Sequence, residues 1–177
     1  MKQYYFKDVL FMEKEKALAV ENDEKVPVGY IKMTDMPACE KGHAFSFISS
    51  DETIIKMGIK KRGIRNLLVA TYLISTNQKD YTLRDKVGNN LLYFSVEGEI
   101  DEQGIKIEEN WGGDVEVKVD GIKIATIKTN DFTLKTTIQI NEDIKEHSVL
   151  FAITILMYFL YKIYKNESEF VEGLLFE

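Results

Sequence analysis

Apolar and polar residues alternate at every second position along much of the chain. The segments 55–60, 115–120 and 132–141 show this pattern most clearly, with a threonine replacing one apolar residue in the last of them. Successive side chains of a strand point to opposite faces of its sheet, so the alternation predicts strands with one buried face and one wet face. With the intervening apolar runs included, the chain predicts about ten to twelve strands.

Short polar turns separate the predicted strands. Asp120-Gly121 is the strongest hairpin signal, because both residues accept the backbone conformation that a tight hairpin turn needs. Asp23, Asp51, Asp85 and Asp120 fall about thirty residues apart, which predicts a loosely repeated hairpin unit with an aspartate in each turn. Antiparallel proteins in general have such turns, so ordinary hairpins without a repeat are the alternative.

The pattern changes near the end of the chain, where residues 144–165 predict one long helix. No residue in the stretch 148–161 is charged, and the apolar side chains fall on every side of the helix. Asp143 followed by Glu146 matches a capping box and predicts where the helix begins. Residues 167–177 form a short acidic and apolar tail. A helix that is apolar all round must be enclosed by protein or by lipid.

Length alone allows both environments. Twenty-two helical residues span about 33 Å, close to a bilayer thickness, so a tail-anchored membrane protein using residues 149–161 is one hypothesis. The uncharged run holds only 14 residues, whereas a span needs about 20, which favours a core helix. A sandwich or an open sheet would cover only one side of that helix. The sequence therefore predicts one mainly β domain over residues 1–166, a closed antiparallel barrel of about 12 strands around a central hydrophobic helix.

These features carry a resemblance to a known superfamily. The strand-turn-strand unit 17–31, A-L-A-V-E-N-D-E-K-V-P-V-G-Y-I, and the closing helix with A-I-T-I at 152–155 resemble the tubby C-terminal-like superfamily. It includes tubby, the LURP-one-related proteins, the phospholipid scramblases and small bacterial members. The resemblance covers roughly Tyr4 to Lys165 and implies a barrel of about twelve strands wrapped around a hydrophobic helix. The cysteine-rich and calcium-binding segments of the scramblase branch have no counterpart in this sequence.

Composition narrows the class of protein. The chain has 177 residues, is 45% hydrophobic and 29% charged, and carries a net charge of −6, which is typical of a globular domain and disfavours nucleic-acid binding. A single cysteine, Cys39, excludes an intramolecular disulfide and fits a reducing compartment. The segment 1–11 lacks the features of a signal peptide. A cytoplasmic protein is therefore expected.

The sequence offers little for catalysis or metal binding. It contains no glycine-rich phosphate loop and no nucleophile-elbow motif. Cys39 and His43 are the nearest pair of metal ligands, and a zinc site needs three or four. We therefore expect no metal, no cofactor and no enzymatic activity. An enzyme with an unrecognised site in the barrel mouth is the less favoured alternative.

One charge cluster suggests a ligand. Five basic residues without an intervening acid fall within ten positions of an otherwise acidic chain: Lys56, Lys60, Lys61, Arg62 and Arg65. Concentrated positive charge could bind a phosphate group or an anionic phospholipid at the inner membrane surface. Eukaryotic tubby domains bind phosphoinositides through basic side chains on the barrel, so the resemblance supports this hypothesis. The alternative is a solvated turn around Gly63 whose charges protect a strand edge.

Trp111 stands beside Gly112 and Gly113 in a predicted turn. An aromatic residue at such a place either projects into solvent or packs against the turn. Packing is the favoured expectation, because it removes a large apolar surface from water.

Overall fold

The computed structural model describes residues 1–7, 12–62, 69–86, 93–128 and 135–175, with side-chain detail as far as Phe170. These residues form twelve strands and one helix. The strands are β1 Lys2–Lys7, β2 Ala17–Asn22, β3 Pro27–Met33, β4 Cys39–Ser49, β5 Ile54–Lys60, β6 Thr71–Ser75, β7 Asp80–Asp85, β8 Ser95–Ile100, β9 Gln103–Glu109, β10 Val115–Val119, β11 Ile122–Lys128 and β12 Lys135–Ile140. The helix is α1, Val149–Leu175.

The strands form one closed barrel. Each strand pairs antiparallel with its neighbours in sequence, and β1 pairs with β12 to complete the circle. The closing pair runs in register from Lys2 opposite Ile140 to Lys7 opposite Lys135. A closed barrel leaves no unpaired strand edge. The predicted fold, a barrel of about 12 strands with a central C-terminal helix, is confirmed.

The two ends of the barrel are distinct. In an antiparallel barrel of this order, odd-numbered strands all end at one end and even-numbered strands at the other. The helix follows β12 and starts beside Tyr4, whose ring centroid lies 4.8 Å from that of Phe151. It leaves at the opposite end, where Lys165 Nζ lies 2.8 Å from Glu109 Oε1. We call these the helix-entry end and the helix-exit end.

The core lies between the helix and the inward faces of the strands. Helix residues from Phe151 to Leu156 are fully buried on every side, as expected for a helix without a polar stripe. Aromatic rings of the strands contact it along its length, as Phe45 does Phe159 at 5.0 Å between ring centroids. Its one polar core residue, Thr154, donates a hydrogen bond to the Leu150 carbonyl at 2.8 Å, so no buried hydroxyl is left unsatisfied there.

The same helix meets the length and composition criteria for a membrane span. The stretch Val149–Phe170 is long and apolar enough to cross a bilayer, but most of it is buried inside the barrel. Core helices of soluble proteins pass the same test. In this structure the strands of the barrel bury the helix.

The helix boundaries differ from those predicted. Ser148 caps the helix, because its hydroxyl oxygen accepts a hydrogen bond from the Phe151 N–H at 3.2 Å. The capping box expected at Asp143 is wrong, since Glu146 instead accepts a hydrogen bond from the Tyr4 hydroxyl at 2.9 Å. At the other end the helix continues to Leu175. Residues 167–175, predicted as a tail, are therefore helical.

Three of the four predicted turn aspartates lie in turns at the helix-entry end. Asp120 and Gly121 have φ angles of 49° and 80°, the left-handed pair that a tight hairpin turn requires. Asp85 is the exception, so the prediction of a turn aspartate about every thirty residues is wrong at this position. It is the last residue of β7, at the helix-exit end, and pairs with Val96 of β8.

Replacing Leu156 with alanine tests the enclosure of the helix. Leu156 is fully buried, so Leu156→Ala should lower the free energy of unfolding by about 2–5 kcal/mol. The matched control is Ile122→Ala at a side chain 70% exposed, which should change it by less than about 0.5 kcal/mol. Denaturant unfolding measures both. Equal effects would contradict a helix buried in the barrel.

Candidate functional site at the helix-exit end

The predicted basic residues separate along strand β5. Ile55, Met57 and Ile59 are buried, so Lys56 and Lys60 lie on the outward face, about 13 Å apart along the strand. Lys60 is exposed at the helix-exit end, whereas Lys56 is half-buried and lies nearer the helix-entry end.

Lys61 follows Lys60 and is also exposed. Arg65 lies outside the described residues. The structure therefore brings Lys60 and Lys61 together on the rim, and it separates Lys56 from them.

Lys60 and Lys61 are uncompensated charges among the residues that the structure describes. None of the ion pairs between described residues involves either side chain. Most lysines elsewhere at this end are paired, as Lys128 is with Asp114 at 3.1 Å. Further exposed lysines at this end, which lie outside the predicted basic cluster, also have no pair with a described acid, among them Lys7 and Lys41.

Arg62 occupies a different environment from its two neighbours. Its side chain is 6% exposed. Nε donates a hydrogen bond to Glu40 Oε1 at 2.7 Å, and Nη2 donates to Glu40 Oε2 at 3.1 Å. Toward the helix, Nη1 and Nη2 donate to the two oxygens of Glu167 at 2.9 and 2.7 Å. We call this group the Arg62 clasp, because it ties β4 and β5 to α1.

The charged groups of the clasp are bonded to one another. Hydrogen bonds to Glu40 and then Glu167 raise the pKa of Arg62 above its usual range, and those from Arg62 lower the pKa of Glu40. Paired arginine-carboxylate groups of this geometry are strong and directional. In this arrangement Arg62 holds the fold rather than facing an external anion.

A metal could in principle use part of the same group. Glu40, His43 and Glu167 offer ligand atoms within 4.8 Å of one another, and His43 Nδ1 lies 3.0 Å from Glu40 Oε2. The Arg62 guanidinium already donates hydrogen bonds to both carboxylates, however, and would repel a cation placed among them. Cys39, paired with His43 in the sequence argument, does not join the cluster. Its thiol is buried, which raises its pKa.

A second polar pair lies buried near the clasp. The Tyr72 side chain is fully buried, and Asp85 Oδ2 accepts a hydrogen bond from the Ala70 N–H at 2.6 Å. The Tyr72 hydroxyl and Asp85 Oδ1 are buried without a well-aligned hydrogen bond to another described residue. Burial raises the pKa of Asp85 to about 6. Burial, and then the charge of Asp85, raises the pKa of Tyr72 well above its usual value.

The pair was not predicted from the sequence, because Asp85 was expected to lie in a turn. The signal was present in the alternation of β7. Leu83 points inward and is fully buried, so the residue two positions later faces the same side of the strand. Tyr72 follows the same rule two positions before the buried Ile74 on β6.

Trp111 corrects the expectation of a packed turn aromatic. Its side chain is 94% exposed, and its ring contacts that of Tyr93, with the centroids 5.7 Å apart. The turn itself is tightly bonded. Asn110 Oδ1 accepts hydrogen bonds from the backbone N–H groups of Gly112 and Asp114 at 2.9 and 3.1 Å. The hydrogen bonds of the turn are therefore made by its backbone and by Asn110, and the indole is left in solvent.

The ends of the barrel also differ in charge. Turns and termini at the helix-entry end carry the acids Asp23, Glu24, Asp51, Glu52, Asp80, Asp101, Glu102, Asp120, Glu142, Asp143 and Glu146. Far fewer described bases accompany them: Lys2, Lys25, Lys79 and Lys145. At the helix-exit end the described acids, among them Glu13, Glu15 and Asp35, are accompanied by about as many bases, including Lys60 and Lys61. The exposed aromatic pair also lies at this end.

Removing the clasp should destabilise the protein. Arg62→Met leaves the Glu40 and Glu167 carboxylates partly buried without their arginine partner, which should lower the free energy of unfolding by about 2 kcal/mol. The matched control is Lys60→Met, which removes an exposed charge two positions earlier and should cost less than about 0.5 kcal/mol. Denaturant unfolding compares them. A loss no greater than that of the control would show that the clasp does not stabilise the fold.

Asp85 should make stability depend on pH. Its pKa is raised to about 6, so its contribution to stability is fully present below the usual aspartate pKa and is lost as the pH rises through about 6. Asp85→Asn keeps the acceptor for Ala70 and removes the charge. The stability of this variant relative to wild type should therefore rise by about 2 kcal/mol between pH 4 and pH 8.

The matched control is Asp80→Asn, which removes the same charge at the exposed start of the same strand. Unfolding at several pH values measures both variants. A difference between Asp85→Asn and wild type that stays constant with pH would contradict the buried charge.

The chain matches no protein-family model, no curated protein and no solved structure.

Proposed function

We propose that this protein is a non-enzymatic barrel that binds anionic phospholipid, or the phosphate groups that such lipids carry, at the cytoplasmic membrane surface. Lys60 and Lys61 make the first contacts, and Lys56, about 13 Å further along β5, lies outside them. The observation that carries the proposal is the exposure of Lys60 and Lys61 without a compensating acid among the described residues. Arg62 supports the site from behind by fixing the end of β5 to the helix.

The charge distribution supports one orientation on the membrane. A net charge of −6 would repel an anionic surface if the acids were spread evenly. Acids far outnumber bases in the turns of the helix-entry end, whereas acids and bases are about balanced at the helix-exit end. The protein can therefore approach with its helix-exit end and keep the acidic turns of the other end far away. Counter-ions screen charges beyond roughly 8 Å at physiological salt, so the near end dominates the interaction. Each lysine near an anionic leaflet contributes about 1 kcal/mol.

The buried polar groups support binding rather than catalysis. The Arg62 guanidinium is bonded to both Glu40 and Glu167, and Asp85 is enclosed beside Tyr72. Groups arranged in this way serve the fold. The resemblance to tubby-like proteins agrees with the proposal, because a closed barrel around an apolar helix is the architecture that it implies. The tail-anchor alternative loses support, because the helix is enclosed by strands.

Vesicle sedimentation tests the proposal directly. The protein should sediment with vesicles of phosphatidylcholine and phosphatidylserine, and its binding should weaken as salt rises. Lys60→Glu with Lys61→Glu reverses two contacts and should weaken binding by tenfold or more, from about 1 kcal/mol for each charge lost. The matched control reverses two exposed lysines at the helix-entry end, Lys2→Glu with Lys145→Glu, and should leave binding nearly unchanged.

Equal recovery with neutral and anionic vesicles at low salt would refute the proposal. Inorganic phosphate and a soluble phosphoinositide headgroup, added as competitors, distinguish a discrete site for the headgroup from general attraction to the charged bilayer. Competition by either one identifies a headgroup site. Salt-sensitive binding without competition identifies attraction to the charged bilayer as a whole.

A further inference from the structure

We infer that Trp111 and Tyr93 form an aromatic anchor that inserts into the interfacial region of an anionic bilayer when the helix-exit end docks. This inference rests on the proposed function and adds the apolar part of the contact to it. The starting observation is the Trp111 side chain, which is 94% exposed. An indole left in water on a folded domain is a large apolar surface that the protein itself does not bury.

The turn beneath the indole is held by its own hydrogen bonds. The Asn110 N–H donates to the Asp114 carbonyl at 2.8 Å, and the Gly113 N–H donates to the Asn110 carbonyl at 3.0 Å. Gly113 has a φ of 83°, a left-handed conformation that glycine adopts without strain. The indole is thus presented on an ordered support, which lowers the entropy lost when it inserts.

Tyr93 extends the same surface. Its side chain is 42% exposed, and its ring meets that of Trp111 edge to face. Tryptophan and tyrosine are the residues enriched at the membrane-water interface, because each has an apolar ring and a polar atom that can stay among the headgroups. Phe170 is 69% exposed on the projecting part of α1 and belongs to the same end of the barrel.

The charges around the indole are compatible with an anionic surface. The two acids that flank the turn are neutralised within the protein. Glu109 pairs with Lys165 at 2.8 Å, and Asp114 pairs with Lys128 at 3.1 Å. Lys7, Lys41, Lys60 and Lys61, which form no ion pair with a described acid, lie at the same barrel end, whereas acids far outnumber bases in the turns of the opposite end. Charge complementarity therefore selects an anionic bilayer as the occupant.

The chain contains a single tryptophan, so its intrinsic fluorescence reports on this site alone. Phosphatidylcholine and phosphatidylserine vesicles should shift the emission to shorter wavelength and protect it from acrylamide. Phospholipids with bromine on the acyl chains should quench it. The matched control moves the reporter to the opposite end, as Trp111→Phe with Ile122→Trp, because Ile122 is also exposed. Its emission should not change when the same vesicles bind.

Affinity gives a second readout. Trp111→Ala should weaken binding to these vesicles by about tenfold, the effect of losing one buried aromatic side chain. Trp111→Phe should retain most of the affinity. Circular dichroism confirms that each variant is folded, which is expected because the indole contacts only Tyr93 among the described rings.

The outcomes separate this inference from the proposed function. Binding that depends on Lys60 and Lys61, with unshifted Trp111 emission and full affinity in Trp111→Ala, overturns the anchor and leaves the function standing. No recovery with anionic vesicles overturns both. If the emission of Trp111 shifts equally with neutral vesicles, and Lys60→Glu with Lys61→Glu does not change the shift, the anchor does not require an anionic surface. That result overturns the inference that the occupant is an anionic bilayer.

Discussion

The whole architecture depends on one constraint, which is that α1 has no polar side to present to water. A helix with a single apolar stripe can lie on a sheet, and its other face stays wet. The buried segment from Phe151 to Tyr161 needs apolar contacts in every direction. A sheet meets that need only when it curves round and joins its own first strand. The pairing of β1 with β12 thus follows from the composition of the helix as much as from that of the strands.

Closure also decides where function can reside. The interior is filled by helix side chains, and a closed sheet offers no edge to which another chain could add a strand. The outer wall and the two ends remain. At the helix-entry end the turns are short and acidic, and several of their residues adopt left-handed conformations, including Lys25, Glu52 and Asp101. The helix-exit end holds the clasp, the exposed lysines and the indole, and it is the end that the proposed function uses.

The large features were predictable because they depend on patterns repeated over many residues. Alternation indicated the strands, and a helix apolar on all sides indicated the closed barrel. The details that failed depend on single side chains whose partners are distant in sequence. Glu146 could not be assigned to Tyr4, nor Arg62 to Glu167, because nothing near either residue in the chain indicates the partner. The prediction for Trp111 was wrong for another reason. Tryptophan side chains are usually buried, which favoured packing against the turn, but this one is exposed.

The basic cluster shows the limit of composition most clearly. Five nearby charges in sequence suggested one site, yet strand geometry separates Lys56 from Lys60, and burial commits Arg62 to two carboxylates. Arg65 lies outside the described residues. A run of like residues gives the local charge, but the direction of each side chain depends on the strand that carries it.

The Arg62 clasp also sets the position of the helix along the barrel axis. Sliding α1 by one residue would move Glu167 by about 1.5 Å and rotate it by about 100°, away from the guanidinium. At the other end the hydrogen bond from the Tyr4 hydroxyl of β1 to Glu146, just before the helix, opposes the same movement. The position of the helix along the barrel axis is therefore fixed at both of its ends. The turn that carries Phe170 projects from the rim at a set distance and in a set direction.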